Sequence, residues 1–265
     1  MKILFVGDII GTTGKEIVIK KLPALIKEHT IDFVIANAEC ASKSANSITP
    51  EDALLLTDSG VNCITTGERV WGKQEMIEFL TTNSTSNSTM AKCSILRPLN
   101  YPPGVPGIGS AIYPEGIAVI NLLGRAFLAN IDCPFRTGLS EIEKLSSSTK
   151  IIIVDFHAQT TAEKQAFSYW IDGKVSAVIG THTTAQTNDE KIMPGGTAYI
   201  SSVGMTGVQD SISGIVKELY IQHFITGIPV EFKPAKGEGN LNGAIIEIDV
   251  DTGKALKIHK ISRLS

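Results

Sequence analysis

Four short apolar runs in this chain each end on, or just before, a side chain that can hold a metal ion. Asp8 follows KILFVG, Glu39 follows FVIANA, His157 follows IIIVDF and His182 follows AVIGT. A run of this length reads as a buried strand, and the loop beyond the carboxyl end of such a strand is where open α/β sheets gather their ligand sites. One acidic or histidine side chain there would mean little. Asp, Glu, His and His arriving from four strands is how a metal-ion hydrolase is assembled.

The intervening segments support the strand reading. Lys15–Glu28 reads as an amphipathic helix. Thr49-Pro50-Glu51-Asp52 opens another, with Thr49 as N-cap and Pro50 at the first helical position. Cys63–Thr65 reads as a strand, Gln74–Leu80 as a helix, and TTNSTSNST (81–89) as a solvent-exposed loop. Gly109–Tyr113 and Ile117–Leu122 flank Pro114-Glu115-Gly116, which is hairpin chemistry. Alternation resumes with strand Ile151–Val154, helix Thr161–Trp170 and strand Val175–Ile179. Strand Thr197–Ser201, helix Glu218–Thr226 and a hairpin of Gly243–Val250 with Ala255–Ile261 follow. Strand–helix units on both sides of a hairpin-rich middle predict two packed sheets with helices outside. No linker or repeat interrupts residues 1–265, so one domain is expected.

Composition narrows the function classes. The chain is 43% hydrophobic with a formal net charge of −3, which suits a large core and argues against an extended nucleic-acid surface. A small phosphorylated substrate needs only a local positive site. The four cysteines form no C-x-x-C pair, and no apolar segment approaches the length of a membrane span. A soluble cytoplasmic protein with reduced thiols and no membrane partner is expected.

Two further residues enter at the end of the third strand, Thr65-Thr66-Gly67-Glu68-Arg69-Val70-Trp71. Glu68 is a fifth ligand candidate at the matching position, and the Arg69 guanidinium can face the same crevice and hold phosphate oxygens. The alternative is a local Glu68–Arg69 surface pair. Asp155 shares a face with His157 and can stand behind it or cap a helix. His29, His223 and His259 fall inside or at the end of ordinary helix and strand patterns.

With these residues aligned, the chain resembles the YmdB-like branch of the calcineurin-type metallophosphoesterases. The resemblance rests on ILFVGDIIG, NAE, LRPLNYPPGVPG, VINLLGR, VDFHAQTTAEKQA, VIGTHT and TAYISSVGMTG. It implies a four-layer α/β/β/α sandwich, a site for one or two divalent ions (iron or manganese), and homo-oligomers. It also implies hydrolysis of phosphodiesters, including cyclic nucleotides, with a small phosphorylated molecule or nucleotide as partner. Asp8, Glu39, His157 and His182 match its ligand positions, with Glu39 at the bridging one.

Four positions depart from the family pattern. Glu68 stands for a metal-binding asparagine, Arg69 for the histidine that protonates the leaving group, Thr184 for a second histidine ligand, and Cys40 for an asparagine. Arginine stays protonated and is a poor general acid, and threonine is a weak substitute for imidazole on a borderline cation. The expectation is an altered phosphodiesterase site with one well-held ion and Arg69 as an electrostatic clamp. The alternative is an impaired or inactive relative that binds a nucleotide or phosphate in a regulatory role.

Overall fold

The protein is described by a computed structural model covering residues 1–83 and 94–264. Two mixed sheets lie face to face. The first runs in the order β2 (Asp8–Ile9), β12 (Met205–Val208), β13 (Gly239–Ile248), β1 (Lys2–Val6), β3 (Phe33–Asn37), β4 (Cys63–Thr65) and β5 (Ser94–Leu96), with β14 (Ala255–Leu264) also paired to β13. The second runs β10 (Lys191–Ile192), β11 (Ala198–Ile200), β9 (Ala177–Thr181), β8 (Ile151–His157), β7 (Ile117–Leu123) and β6 (Ser110–Ile112). Strands β1, β3, β4 and β5 are parallel, as are β7, β8, β9 and β11. Their carboxyl ends therefore gather on one side of each sheet.

Strand alternation explains the layering. In β1, Ile3 and Phe5 join Phe33 and Ile35 of β3 in a core shared with Val119, Ile151, Ile153 and Ile179 of the second sheet. Leu4 and Val6 point the other way and pack on Ile17 and Leu22 of α1 (Gly11–His29), Leu56 of α2 (Pro50–Asp58) and Met76 of α3 (Gln74–Asn83). In β8 the opposite faces of Ile152, Val154 and Phe156 meet Ile142 of α4 (Pro134–Leu145) and Phe167 of α5 (Thr161–Trp170). Three apolar layers between four layers of secondary structure give the expected α/β/β/α sandwich. Helix α6 (Lys217–Thr226) stands apart and buries none of its residues.

Local chemistry sets the element ends. At the start of α2, the Thr49 hydroxyl accepts from the Asp52 N–H while the Asp52 carboxylate accepts from the Thr49 N–H, the reciprocal pair that a Thr-x-x-Asp start supports. Helix α1 begins at Gly11, four residues before the expected start, and Pro23 lies within it. A Cβ on Gly14 would run into the Thr206 carbonyl, so that glycine serves close helix–strand packing. Strand β9 is shifted two residues toward the C-terminus from the expected Val175–Ile179, which carries the buried run up to Thr181, next to His182. Of the expected 81–89 loop, residues 81–83 complete α3, and 84–89 lie outside the described residues. Among the described residues, no helix is long and apolar enough to cross a membrane.

Candidate metal centre

The four strand-end residues and the two from the third strand come together in one cleft, lined by Asp8, Glu39, Glu68, Arg69, His157 and His182 among others. Its volume is about 260 Å³. His157 is the hub. Its Nε2 lies 3.2 Å from Glu39 Oε2, 3.3 Å from Glu68 Oε2 and 3.1 Å from His182 Nδ1. One donor atom each from Glu68, His157 and His182 lie within 4.8 Å of one another. His29, His223 and His259 sit in α1, α6 and β14, away from this cleft.

Each side chain is held from behind. The Thr181 hydroxyl donates to Asp155 Oδ1 at 2.6 Å, so its oxygen accepts from His157 Nδ1–H at 2.8 Å. That fixes the tautomer and leaves Nε2 facing the cleft, the arrangement metal-binding imidazoles use. The Asn37 amide donates to the other Asp155 oxygen at 3.0 Å. Asp155 thus stands behind the histidine; the cap of α5 is Thr160. His182 Nε2 meets Gln159 Oε1 at 2.8 Å, which leaves Nδ1 toward the cluster. Glu39 Oε1 accepts from the Arg69 N–H at 2.6 Å, and Asp8 Oδ2 accepts from the His182 N–H at 2.9 Å.

Backbone geometry lets these groups meet. Gly67 lies against the hub: a Cβ there would overlap the His157 ring and come within 2.6 Å of Glu39 Oε1. His182 and Thr184 have φ of 84° and 55°, a strained region for side chains with a Cβ and one that concentrates at functional sites. The loop is pinned by Lys164 of α5, fully buried, whose Nζ donates to Thr181 O at 2.7 Å and Thr183 Oγ1 at 3.2 Å. Burial pushes that lysine down to about 8.

The electrostatics call for a cation at the hub. Burial disfavours a charged His157, but Glu39 and then Glu68 outweigh it and push its pKa well above the ordinary value. Burial also works against the Glu68 carboxylate, yet hydrogen bonding and the charge of His157 hold it down to about 2. His182 is pushed down to about 4 by burial and by His157, so it stays neutral. Burial pushes Asp8 up to about 7. One buried carboxylate oxygen, Asp8 Oδ1, has no hydrogen-bond partner, a state that calls for an ion or solvent. The residues fit a divalent ion, which would take the place of the proton on His157 Nε2: carboxylate oxygens mixed with imidazole nitrogens suit manganese, iron or zinc.

A model of the YmdB-like protein family matches residues 4–261. The chain belongs to the YmdB-like family. Over 98% of the chain and 96% of its relative, it is 40% identical to a 2′,3′-cyclic-nucleotide 2′-phosphodiesterase of Bacillus subtilis. A crystal structure of a phosphatase from Mycoplasma pneumoniae superposes with a TM-score of 0.89 at 32% identity, over 100% of this chain and 93% of that one. A Thermus thermophilus protein described as hypothetical gives 0.88 at 32% identity, over 100% and 99%. In this YmdB-like chain, Cys40, Glu68, Arg69 and Thr184 all line the same cleft. Arg69 Nε lies 3.5 Å from Glu68 Oε1 and its Nη1 3.8 Å from Cys40 Sγ. Thr184 Oγ1 pairs with Ser213 Oγ at 2.9 Å.

Thr181, Asn37, Lys164, Gln159 and Gly67 went unassigned from sequence. Only Thr181 carried a usable signal, as the polar residue that ends an apolar strand beside a histidine. Thr181→Val keeps the side chain's shape and removes the hydroxyl that orients His157. It is expected to weaken metal binding about 10–100-fold while leaving the circular-dichroism spectrum unchanged. Competition with a chromogenic chelator measures this, and unchanged affinity would show that His157 needs no such support.

Proposed function

We propose that this chain is a metal-dependent phosphodiesterase of small substrates such as a 2′,3′-cyclic nucleotide. The observation that carries the reading is the approach of Glu39, Glu68 and His182 to the Nε2 of His157. The phosphodiesterase name of the Bacillus subtilis relative, at 40% identity, supports the substrate class.

Glu39, Glu68, His157 and His182 form one complete ligand set for iron or manganese. Asp8 and Glu39 are what remains for a second ion, because Thr184 offers only a hydroxyl already paired with Ser213. One cation is held firmly and the other weakly. When bound, a cation supplies positive charge to phosphate oxygens and makes water a better nucleophile.

The chain's own groups do the rest. Arg69 is half exposed at the cleft. Burial opposes its charge, but Cys40, Glu39 and Glu68 outweigh that and raise its pKa above the ordinary value. It therefore binds phosphate oxygens through its N–H groups and keeps its proton. Neutral His182 and the buried carboxylates orient the ligand cluster. Gln159 and Lys164 hold the His182 loop in place.

A clamp that cannot give up a proton favours substrates with good leaving groups. An activated aryl phosphodiester should turn over with added manganese. A 2′,3′-cyclic nucleotide should turn over more slowly than in relatives with a histidine at this position, by about 10²–10⁴-fold. Absence of turnover on both substrates with manganese and with iron sinks the enzyme reading. Arg69 and Thr184 in place of two family histidines favour a second reading, a nucleotide-binding protein without turnover. Calorimetric binding of nucleotide by a preparation that hydrolyses neither substrate would establish it.

A further inference from the structure

The cleft has an end that phosphate chemistry does not explain. Besides the candidate ligands and Arg69 it is lined by Ile10, Ala45, Ile215 and Tyr220. These residues belong to a small apolar cluster separate from the three layers of the sandwich. The wall is built rather than incidental. Gly214, at φ 77°, lies flat on Ile10, and a Cβ there would run into that side chain. The loop carrying Ile215 is tied down on both sides, by Val216 N–H to Lys233 O at 2.9 Å and Ala235 N–H to Gly214 O at 2.8 Å.

Tyr220 is the informative member. It sits on α6, a helix with no buried residues, and its ring packs on the small Ile10–Ala45–Ile215 cluster rather than on any layer of the sandwich. The ring is held: its centroid is 4.4 Å from that of Phe232, and 6.0 Å from that of Phe224 at an interplanar angle of 18°. The same cleft is lined by the paired hydroxyls of Thr184 and Ser213. In one cleft, then, are a cationic clamp, a hydroxyl pair, and a backed aromatic ring on an aliphatic wall. Those match the phosphate, sugar and base of a nucleotide. At about 260 Å³ the cleft is near the small end of ligand sites, and the net charge of −3 provides no basic track for a strand.

We propose that Ile10, Ala45, Ile215 and Tyr220 form a nucleobase subsite, with Tyr220 as the stacking platform, so that the cleft selects single nucleotides over phosphodiesters without a base. The inference rests on the phosphodiesterase reading for the position of the phosphate. Stacking tolerates any base because each has a π-face, so the subsite distinguishes base from no base more than one base from another.

The test compares two ligands on the full-length protein by titration calorimetry: adenosine 3′-phosphate and the base-free methyl riboside 3-phosphate. Wild type is expected to prefer the adenosine compound by about tenfold or more. Tyr220→Ala should bring that ratio close to one, and Tyr220→Phe should keep it. A wild-type ratio near one, an unchanged ratio in Tyr220→Ala, or no binding of the adenosine compound overturns the subsite. Because α6 buries no residue, the alanine variant should fold, and circular dichroism verifies it. Ile215→Ala, which alters the wall from the other side, should lower the ratio as well. The subsite and the enzyme reading fail separately. A Tyr220-dependent ratio with no hydrolysis of any diester removes the enzyme and keeps the subsite. Hydrolysis of cyclic nucleotide without preference for a base does the reverse.

Discussion

Replacing His157 with alanine is expected to strip the protein of its firmly held cation. Wild-type protein purified without chelator should retain about one ion per chain, held by the four-residue set around Nε2. In the variant, affinity should fall by at least about 100-fold, because the lost group is a direct ligand and the loss exceeds that of an orienting neighbour. The geometry explains the size. His157 Nε2 lies within 3.3 Å of Glu39, Glu68 and His182, so its removal unlinks the remaining donors. It also takes away the imidazole beside both carboxylates and leaves Arg69, 3.5 Å from Glu68, as their remaining positive neighbour, which disfavours ionising both. Elemental analysis gives the stoichiometry and chelator competition the affinity. Two firmly held ions in wild type would overturn the one-strong, one-weak arrangement. Full retention in the variant would remove His157 from the ligand set.

Gly67→Ala should have the second largest effect, by a different route. Gly67 is not needed for an unusual backbone angle; it is needed because His157 and Glu39 occupy the space where a Cβ would go. Neither neighbour can yield easily. His157 is fixed through Thr181, and Glu39 through the Arg69 N–H. Forcing a methyl group into such packing costs about 1–3 kcal/mol. For a chain of this size that corresponds to a melting temperature lower by roughly 2–12 °C. Metal affinity should fall with it. Differential scanning calorimetry with and without manganese separates the two: a chain that melts normally but binds metal poorly would locate the damage in the cluster alone. Unchanged melting and binding would show that the backbone at 67 has room to shift.

Much of this site was legible in the sequence because its framework is local. A buried parallel strand needs a short apolar run, and a candidate ligand at its carboxyl end falls within the next few residues. Cys63–Thr65 and Thr161–Trp170 fall where the pattern puts them, and Arg69 lines the cleft while also pairing with Glu68. What sequence leaves open is contact between distant segments. Asn37 and Asp155 are hydrogen-bonded across 118 positions, and no local pattern says which polar residue stands behind which histidine. Helix α4 also went unassigned. It has Pro134 at its first position but no capping side chain at Cys133. It buries only Pro134, Gly138, Ile142 and Leu145, a stripe in which two of the four are Pro and Gly. Tyr220 was hidden for the opposite reason: it looks like one more apolar residue of a helix, and only its place against the Ile10–Ala45–Ile215 cluster at the cleft marks it.

The place of β1 in its sheet has a consequence for synthesis. Strand β1 precedes every other named strand in the sequence, yet it is a central one, flanked by β3 and by β13, and the Met1 nitrogen donates to Ile248 O at 2.9 Å. A nascent chain therefore carries β1 as an open edge until residues 239–248 have left the ribosome, an exposure that invites wrong pairing in a slow, long-range topology. Asp8 waits too, since β2 pairs with β12 at Met205 and its carboxylate is held by the His182 N–H. Glu39, Glu68 and His157 are all in hand well before that. The four residues of the set around His157 Nε2 thus all precede the strand that seats Asp8, and only the Asp8 side of the cleft waits for residue 205 and beyond.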